Sequence, residues 1–229
     1  MHFTLTDLVA DITQNGAESG AALMELEIRE TLVNAGGQTG EFRFIARDNG
    51  KGMSAADLDR AVDPFVTDGV KHPGRRVGLG IPFLIQTALQ SGGGWKIRSA
   101  RAGEPAAVRG SEPAGAGEEA VGAGGAVCGT TTEAWFDLAN VDTPPLGDIP
   151  GLFRSVLLFE GPGEIVLKRS RTGGGAANPN GRKAGGGFPS LDYEVRKTEL
   201  EEALDGLRDA SSLVLLSKYL RSLEGGEDA

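Results

Sequence analysis

Cysteine, histidine, aromatic side chains and basic charge are all scarce in this chain of 229 residues. Its single cysteine, Cys128, cannot form an internal disulfide, and it reads as a small apolar residue at a strand start. The two histidines, His2 and His72, stand at the terminus and in a loop. Against 32 Asp+Glu there are only 23 Lys+Arg, a net charge of −9, which counts against nucleic acid as a partner because phosphates are neutralised by Lys and Arg. Long apolar runs are missing too. Val156-Leu-Leu-Phe159 and Leu213-Val-Leu-Leu216 fall far short of the roughly 20 residues needed to cross a bilayer, so no membrane partner is expected. The start, Met-His-Phe-Thr-Leu-Thr-Asp, shows no basic stretch followed by an apolar one, so the expected location is cytoplasmic. There is no Gly-x-x-x-x-Gly-Lys-Ser/Thr loop, and the third glycine of a dinucleotide fingerprint is absent.

Glycine is what the chain has in excess: 36 residues, roughly twice the usual share, on no collagen period. With 39% apolar residues the chain can still bury a core. Residues 6–20 read as a helix capped by Thr6, with Leu5, Leu8, Val9 and Ile12 on its apolar side and Asp11, Asn15 and Glu18 along one edge. Met24–Ile28 and Glu41–Asp48 alternate as strands about a turn at Asn34–Gly40. Ser54 and Asp57 open a short helix to about Ala61, and Pro82 fits the first turn of a helix running from Ile81 to Gln90. Trp95–Ser99 and Thr130–Leu138 are further strands. The Gly/Ala/Glu/Pro tract 101–127 between them reads as a disordered insertion.

From about Val141 a separate small α+β appendage is expected. It comprises a helix at Ile149–Phe159, strands at Glu164–Lys168 and Leu191–Val195, and helices at Glu199–Leu207 and Leu213–Leu223. Thr198 and Glu201 form a capping box for the first of those last two helices, and a Gly-rich loop spans 173–187. The domains are thus residues 1–140 and 141–229.

Phe42, Phe44, Ala46 and Asp48 share a face, which puts a carboxylate on the core side at a strand end, where it is costly unless something donates to it. A mid-helix Asn15 has no structural benefit either. Three features then fall in one order: Asp11-x-x-x-Asn15 on a helix, Asp48-x-Gly50-x-Gly52 after a strand, and Gly78-Leu79-Gly80-Ile81-Pro82 after a loop carrying Lys71, Arg75 and Arg76. Gly129-Thr130 opens the last strand.

Together these resemble the GHKL superfamily of gyrase, heat-shock chaperone, histidine kinase and MutL ATPases, over residues 5–138 apart from the insertion. Asp63-Pro-Phe-Val-Thr67 strengthens the likeness, since a Pro-Phe-Phe-like stretch stands there in many histidine kinases. With Pro144-Pro-Leu-Gly-Asp148 after the last strand, the chain looks most like small stand-alone ATP-binding proteins of bacterial hydrogenase gene neighbourhoods. The resemblance implies a two-layer α/β sandwich of Bergerat type, a mixed sheet with helices on one face, beside the C-terminal appendage.

ATP and Mg²⁺ are the cofactors implied. Asp48, an acceptor-only carboxylate, suits the adenine 6-amino donor; Gly50 and Gly52 let the backbone approach the ring, and Thr130 joins the network. Met53 stands either for adenine contact or for packing. Asn15 offers Mg²⁺ a hard oxygen, Gly78-Leu79-Gly80 presents backbone N–H groups to phosphates, and Lys71, Arg75 and Arg76 add charge from a lid. ATP-hydrolysing members carry a Glu as general base where this chain has Asp11, one methylene shorter. Nucleotide binding is therefore better supported than hydrolysis.

The expected function is an ATP–Mg²⁺-binding regulatory switch with slow or no hydrolysis, acting on a protein partner. The alternative is a protein serine kinase similar to sigma-factor antagonists. DNA-repair and topoisomerase roles fit poorly with the acidic charge.

Overall fold

The computed structural model describes residues 4–32, 40–65, 80–111, 128–173 and 190–225. Of the residues singled out above, His2, Lys71, His72, Arg75, Arg76, Gly78 and Leu79 lie outside the described residues, as do 112–127 and 174–189 of the Gly-rich tracts.

Among the described residues, seven strands form one mixed sheet. In chain order they are β1 (Leu23–Leu32), β2 (Gly40–Asp48), β3 (Gly94–Ala100), β4 (Ala107–Gly110), β5 (Gly129–Asp137), β6 (Glu164–Gly173) and β7 (Leu191–Arg196). Their spatial order is β4-β3-β5-β2-β1-β6-β7. All neighbours are antiparallel except β1 and β6, which run parallel from Leu23 opposite Glu164 to Leu32 opposite Gly173. The helices are α1 (Leu5–Ala17), α2 (Ala55–Val62), α3 (Gly80–Gln90), α4 (Ile149–Leu157), α5 (Lys197–Ala203) and α6 (Ala210–Leu223).

Strand parity sorts the side chains into two layers. Met24, Leu26 and Ile28 of β1, Phe42 and Phe44 of β2, Ala134 and Phe136 of β5, and Ile165 and Leu167 of β6 face one side. There they meet Leu5, Leu8, Val9 and Ile12 of α1 and the buried residues of α2, α3, α4 and α6. Each Leu, Ile, Val, Phe or Met side chain among them, fully buried, stabilises the fold by roughly 1.5–3 kcal/mol. Among the described residues, the opposite face of the sheet carries paired charges in place of a helix layer. Arg43 bonds Glu41 at 2.9 Å and Glu133 at 2.7 Å while its guanidinium lies 5.1 Å from the Trp135 ring centroid. Arg47 reaches Glu27, and Lys168 reaches Glu25. The fold is thus the expected two-layer α/β sandwich with a mixed sheet and helices on one face. Among the described residues, no helix is long and apolar enough to cross a membrane.

Several local expectations change. The cap of α1 is Thr4, not Thr6: Thr4 Oγ1 accepts the Asp7 N–H while the Asp7 carboxylate accepts the Thr4 N–H, a reciprocal box that Thr6 has no partner to make. No capping box forms at Thr198 and Glu201. The last helix pair starts directly from β7 at Lys197, and the Thr198 hydroxyl is drawn instead to Glu164 at 2.6 Å. The tract 101–127, expected to be structureless, holds β4 in its described part. A four-residue edge strand is specified by backbone pairing to β3, which leaves no apolar period to read.

The segment after residue 141, expected as an appendage, completes the same sheet. β6 pairs with β1 along its whole length, and α4 packs on α1 within the one hydrophobic core. A parallel partner brought back from more than 130 residues away carries no local signature.

Among the described residues the core holds one orphan: Ser91, at the end of α3, is fully buried, and its hydroxyl has no hydrogen-bond partner among them. Burying an unmatched hydroxyl costs about 1–3 kcal/mol, so Ser91→Ala is expected to raise the melting temperature by a few degrees. Equal or lower thermal stability, read by calorimetry, would show that the hydroxyl is satisfied in solution.

Candidate functional site

One end of the sheet gathers the polar residues. The C-terminal ends of β2 and β3 and the first residue pair of β5 meet there, so Asp48 stands opposite Thr130 in register and Thr130 opposite Ser99. These are the core-face positions of their strands, continuing the rows of Phe44–Ala134 and Ala46–Thr132–Ile97 after the apolar residues run out.

Asp48 is half-buried, as its parity demands. Its Oδ1 accepts the Gly50 N–H at 2.9 Å and shares the single Ser19 hydroxyl proton, at 3.0 Å, with the Gly16 carbonyl at 2.7 Å, and the Thr130 backbone N–H adds to the stabilisation of its charge. A carboxylate offers about four acceptor directions, so at least one is left without a donor among the described residues. Burial raises the Asp48 pKa above its ordinary value, and the donors from Gly50, Ser19 and Thr130 offset this only in part. Among the described residues no cation pairs with it. It is a polarised acceptor, short of one donor.

The turn leaving β2 is locked in place. Asn49 Oδ1 accepts the N–H groups of Ala22 and Leu23 at 2.8 and 2.9 Å, tying the turn to the start of β1. Gly52 has φ +61°, and a β-carbon there would collide with the carbonyl of Ala100. A β-carbon on Gly50 would meet the Ser19 hydroxyl. The sequence suggested that these glycines leave room for a ring; the structure shows that the room is taken by the protein's own backbone and by Ser19. Their immediate effect is to hold the turn against β3, β5 and α1. Gly16, by contrast, lies over the carboxylate, since a β-carbon on it would stand 3.6 Å from Asp48 Oδ2.

Met53 is half-buried against the core, and its N–H donates to Ser99 Oγ at 2.8 Å. Cys128 Sγ donates to the Gly50 carbonyl at 2.9 Å, so it braces the same turn.

The α1 edge is the second half of the site. Asn15 is exposed, and Asp11 lies one turn before it on the same edge. Gly80, the first residue of α3, faces both: a β-carbon there would lie 3.8 Å from Asn15 Nδ2 and 4.0 Å from Asp11 Cβ. The structure therefore brings Asp11, Asn15 and Gly80 together at one place, and Asp48, Gly50, Gly52 and Thr130 at another. Gly16 and Ser19, on and just after α1, link the two. Glu18 points away and bonds Gln14 on the exposed side.

Ser19 and Ser99 carried no signal in the sequence, because each is a small polar residue at an element's end. Their role comes from the strands and turn that meet there. A cleft of about 400 Å³ lined by Leu157, Phe159, Pro162 and Lys197 lies elsewhere, between α4 and α5; its lysine already donates to the carbonyls of Phe159 and Pro162.

No protein-family model matches the chain, and no curated protein sequence does either. Among solved structures it is similar to the N-terminal domain of a DNA repair protein, at 11% identity over 92% of this chain with a TM-score of 0.41. The chain spans 58% of that domain's length. It is also similar to the ATP-binding domain of topoisomerase IV from Francisella tularensis, solved with a small-molecule inhibitor, at 16% identity over 73% of this chain and 80% of that one, with a TM-score of 0.36.

Proposed function

We propose that the chain is an ATP-binding protein of the GHKL type, in which Asp48 receives the adenine 6-amino group and the edge formed by Asp11, Asn15 and Gly80 receives the phosphates. The observation that carries this reading is the Asp48 carboxylate: half-buried on the core face, unpaired with any described cation, and holding one acceptor direction open. An amino donor on a flat ring satisfies that need. Guanine would set its carbonyl against the carboxylate.

The donor set also suits Mg²⁺. Among the described residues no group of three or more His, Cys, Asp or Glu side chains converges, so an all-protein cage is not what the chain offers. Mg²⁺ typically takes one or two protein oxygens and completes its shell with water and phosphate. Asn15 Oδ1 would hold the ion, which supplies charge neutralisation on the phosphates. Asp11, beside it, is the carboxylate placed to hold a water, and its short reach favours slow turnover. We read the protein as a nucleotide-dependent regulatory switch that acts on a protein partner.

Isothermal titration is expected to show ATP binding that tightens with Mg²⁺. Asn15→Ala should erase the Mg²⁺-dependent increment, while Asp11→Ala removes turnover and spares binding. Absence of ATP and ADP binding by the parent protein would end the proposal. Transfer of the labelled γ-phosphate to a co-incubated protein would replace the switch by a kinase.

A further inference from the structure

Ser99 sits at a three-way junction that no motif marks. It is 1% exposed at the end of β3. Its Oγ accepts the Met53 N–H at 2.8 Å, lies 3.2 Å from the Gly129 carbonyl, and lies 2.9 Å from Thr130 Oγ1. A serine hydroxyl has one proton and two lone pairs. The Gly129 carbonyl can only accept and the Met53 amide can only donate. All three bonds therefore form together in one arrangement alone: Met53 donates to Ser99, Ser99 donates to Gly129, and Thr130 donates to Ser99.

That arrangement spends the only proton on Thr130. Towards the site, Thr130 then presents lone pairs, and it stands in register beside the acceptor-only Asp48. We propose that Ser99 is a specificity-determining positioning residue: by taking the Thr130 proton it makes the wall formed by Asp48 and Thr130 acceptor-only, which selects 6-aminopurine nucleotides against 6-oxopurine nucleotides. This rests on the nucleotide-binding reading given above. A 6-oxo group would face two acceptors, whereas a 6-amino group meets acceptors with its own hydrogens. Without Ser99, the Thr130 hydroxyl is free to turn and donate to a carbonyl.

The test is the ratio of dissociation constants for ATP and inosine triphosphate, measured by titration on the full chain. The parent is expected to prefer ATP strongly. In Ser99→Ala the preference should shrink roughly five- to tenfold, the worth of about one hydrogen bond, and chiefly because inosine triphosphate binds more tightly. Ser99→Ala also strands the Met53 N–H, so Thr130→Val serves as the second variant. It keeps the volume, removes the hydroxyl, and should relax the ratio as well, while Thr130→Ser preserves it. An unchanged ratio in Thr130→Val overturns the inference whatever Ser99→Ala does. So does an equal loss of affinity for both nucleotides in Ser99→Ala, since that is what mere packing would give. Failure of the parent to bind either nucleotide overturns the underlying reading instead.

Discussion

Asp48→Asn is expected to weaken ATP binding by roughly 10- to 100-fold, the effect of losing a hydrogen bond of about 1.5–3 kcal/mol to a charged acceptor. The fold should survive, because an amide oxygen can still accept from Gly50 and Ser19. The free protein should even gain stability. Since burial raises the Asp48 pKa, the folded chain holds that proton more tightly than the unfolded one. The group therefore favours folding at low pH and opposes it as pH rises through the raised value. Removing the charge removes that opposition at neutral pH, so the melting temperature of the variant should equal or exceed the parent's.

The same shift sets the pH dependence of binding. The adenine amino group needs the ionised acceptor, so affinity should fall as the solution is acidified, starting above the ordinary 3.8 of an aspartate. Asp48→Asn should flatten this profile. Unimpaired ATP binding by the variant would remove Asp48 from the site.

Arg169→Ala is expected to be the most damaging single change to the fold, at about 3–5 kcal/mol, a fall of roughly 6–20 °C in melting temperature. Arg169 lies 1% exposed on the core face of β6. Its Nη2 bonds Glu30, itself 5% exposed, at 2.7 Å; Nε bonds Glu224 at 3.0 Å; and Nη1 bonds the Ser170 carbonyl at 2.8 Å. Tyr193 adds its hydroxyl to Glu224 at 2.7 Å, and burial beside that carboxylate holds the phenol protonated as a donor. Glu224 follows the last turn of α6, so the arginine pins that helix to the sheet at the end remote from Asp48.

Removing the guanidinium strands Glu30, whereas Glu224 keeps the Tyr193 hydroxyl and Arg171 at 3.6 Å. Glu30 already has its pKa raised by burial, with Arg169 as the chief opposing influence. Without Arg169 the folded state would hold the Glu30 proton more tightly still, so the loss of stability should grow between pH 5.5 and pH 8. Chemical denaturation at the two values checks both statements. A loss below about 1 kcal/mol would mean that the cluster is solvated, and a loss independent of pH would separate Glu30 from it.

Glu30 marks how far strand parity carries and where only the tertiary structure decides. The parity that places Asp48 with Phe42 and Phe44 places Glu30 with Met24, Leu26 and Ile28. The alternation read from the sequence spans Met24–Ile28, whereas β1 runs to Leu32. A buried glutamate was therefore visible in the pattern, although its partner was not. Arg169 lies 139 residues away on a strand whose place beside β1 depends on a long crossover. Thr4 was likewise readable from Thr4-x-x-Asp7, yet two adjacent threonine signals compete there and only the helix start decides between them.

By itself the sequence determined the alternating strands of the central sheet, the apolar side of α1, the core-side position of the Asp48 carboxylate and the glycine turn that follows it. Each depends on a period or a turn within a few residues. Only the tertiary structure decided that residues after 141 complete the sheet, that Gly52 is pressed against the Ala100 carbonyl, that Ser19 and Ser99 supply the hydroxyls around Asp48 and Thr130, and that Arg169 neutralises Glu30. All of these depend on which distant segments become neighbours, and that is set by the closure of one shared core.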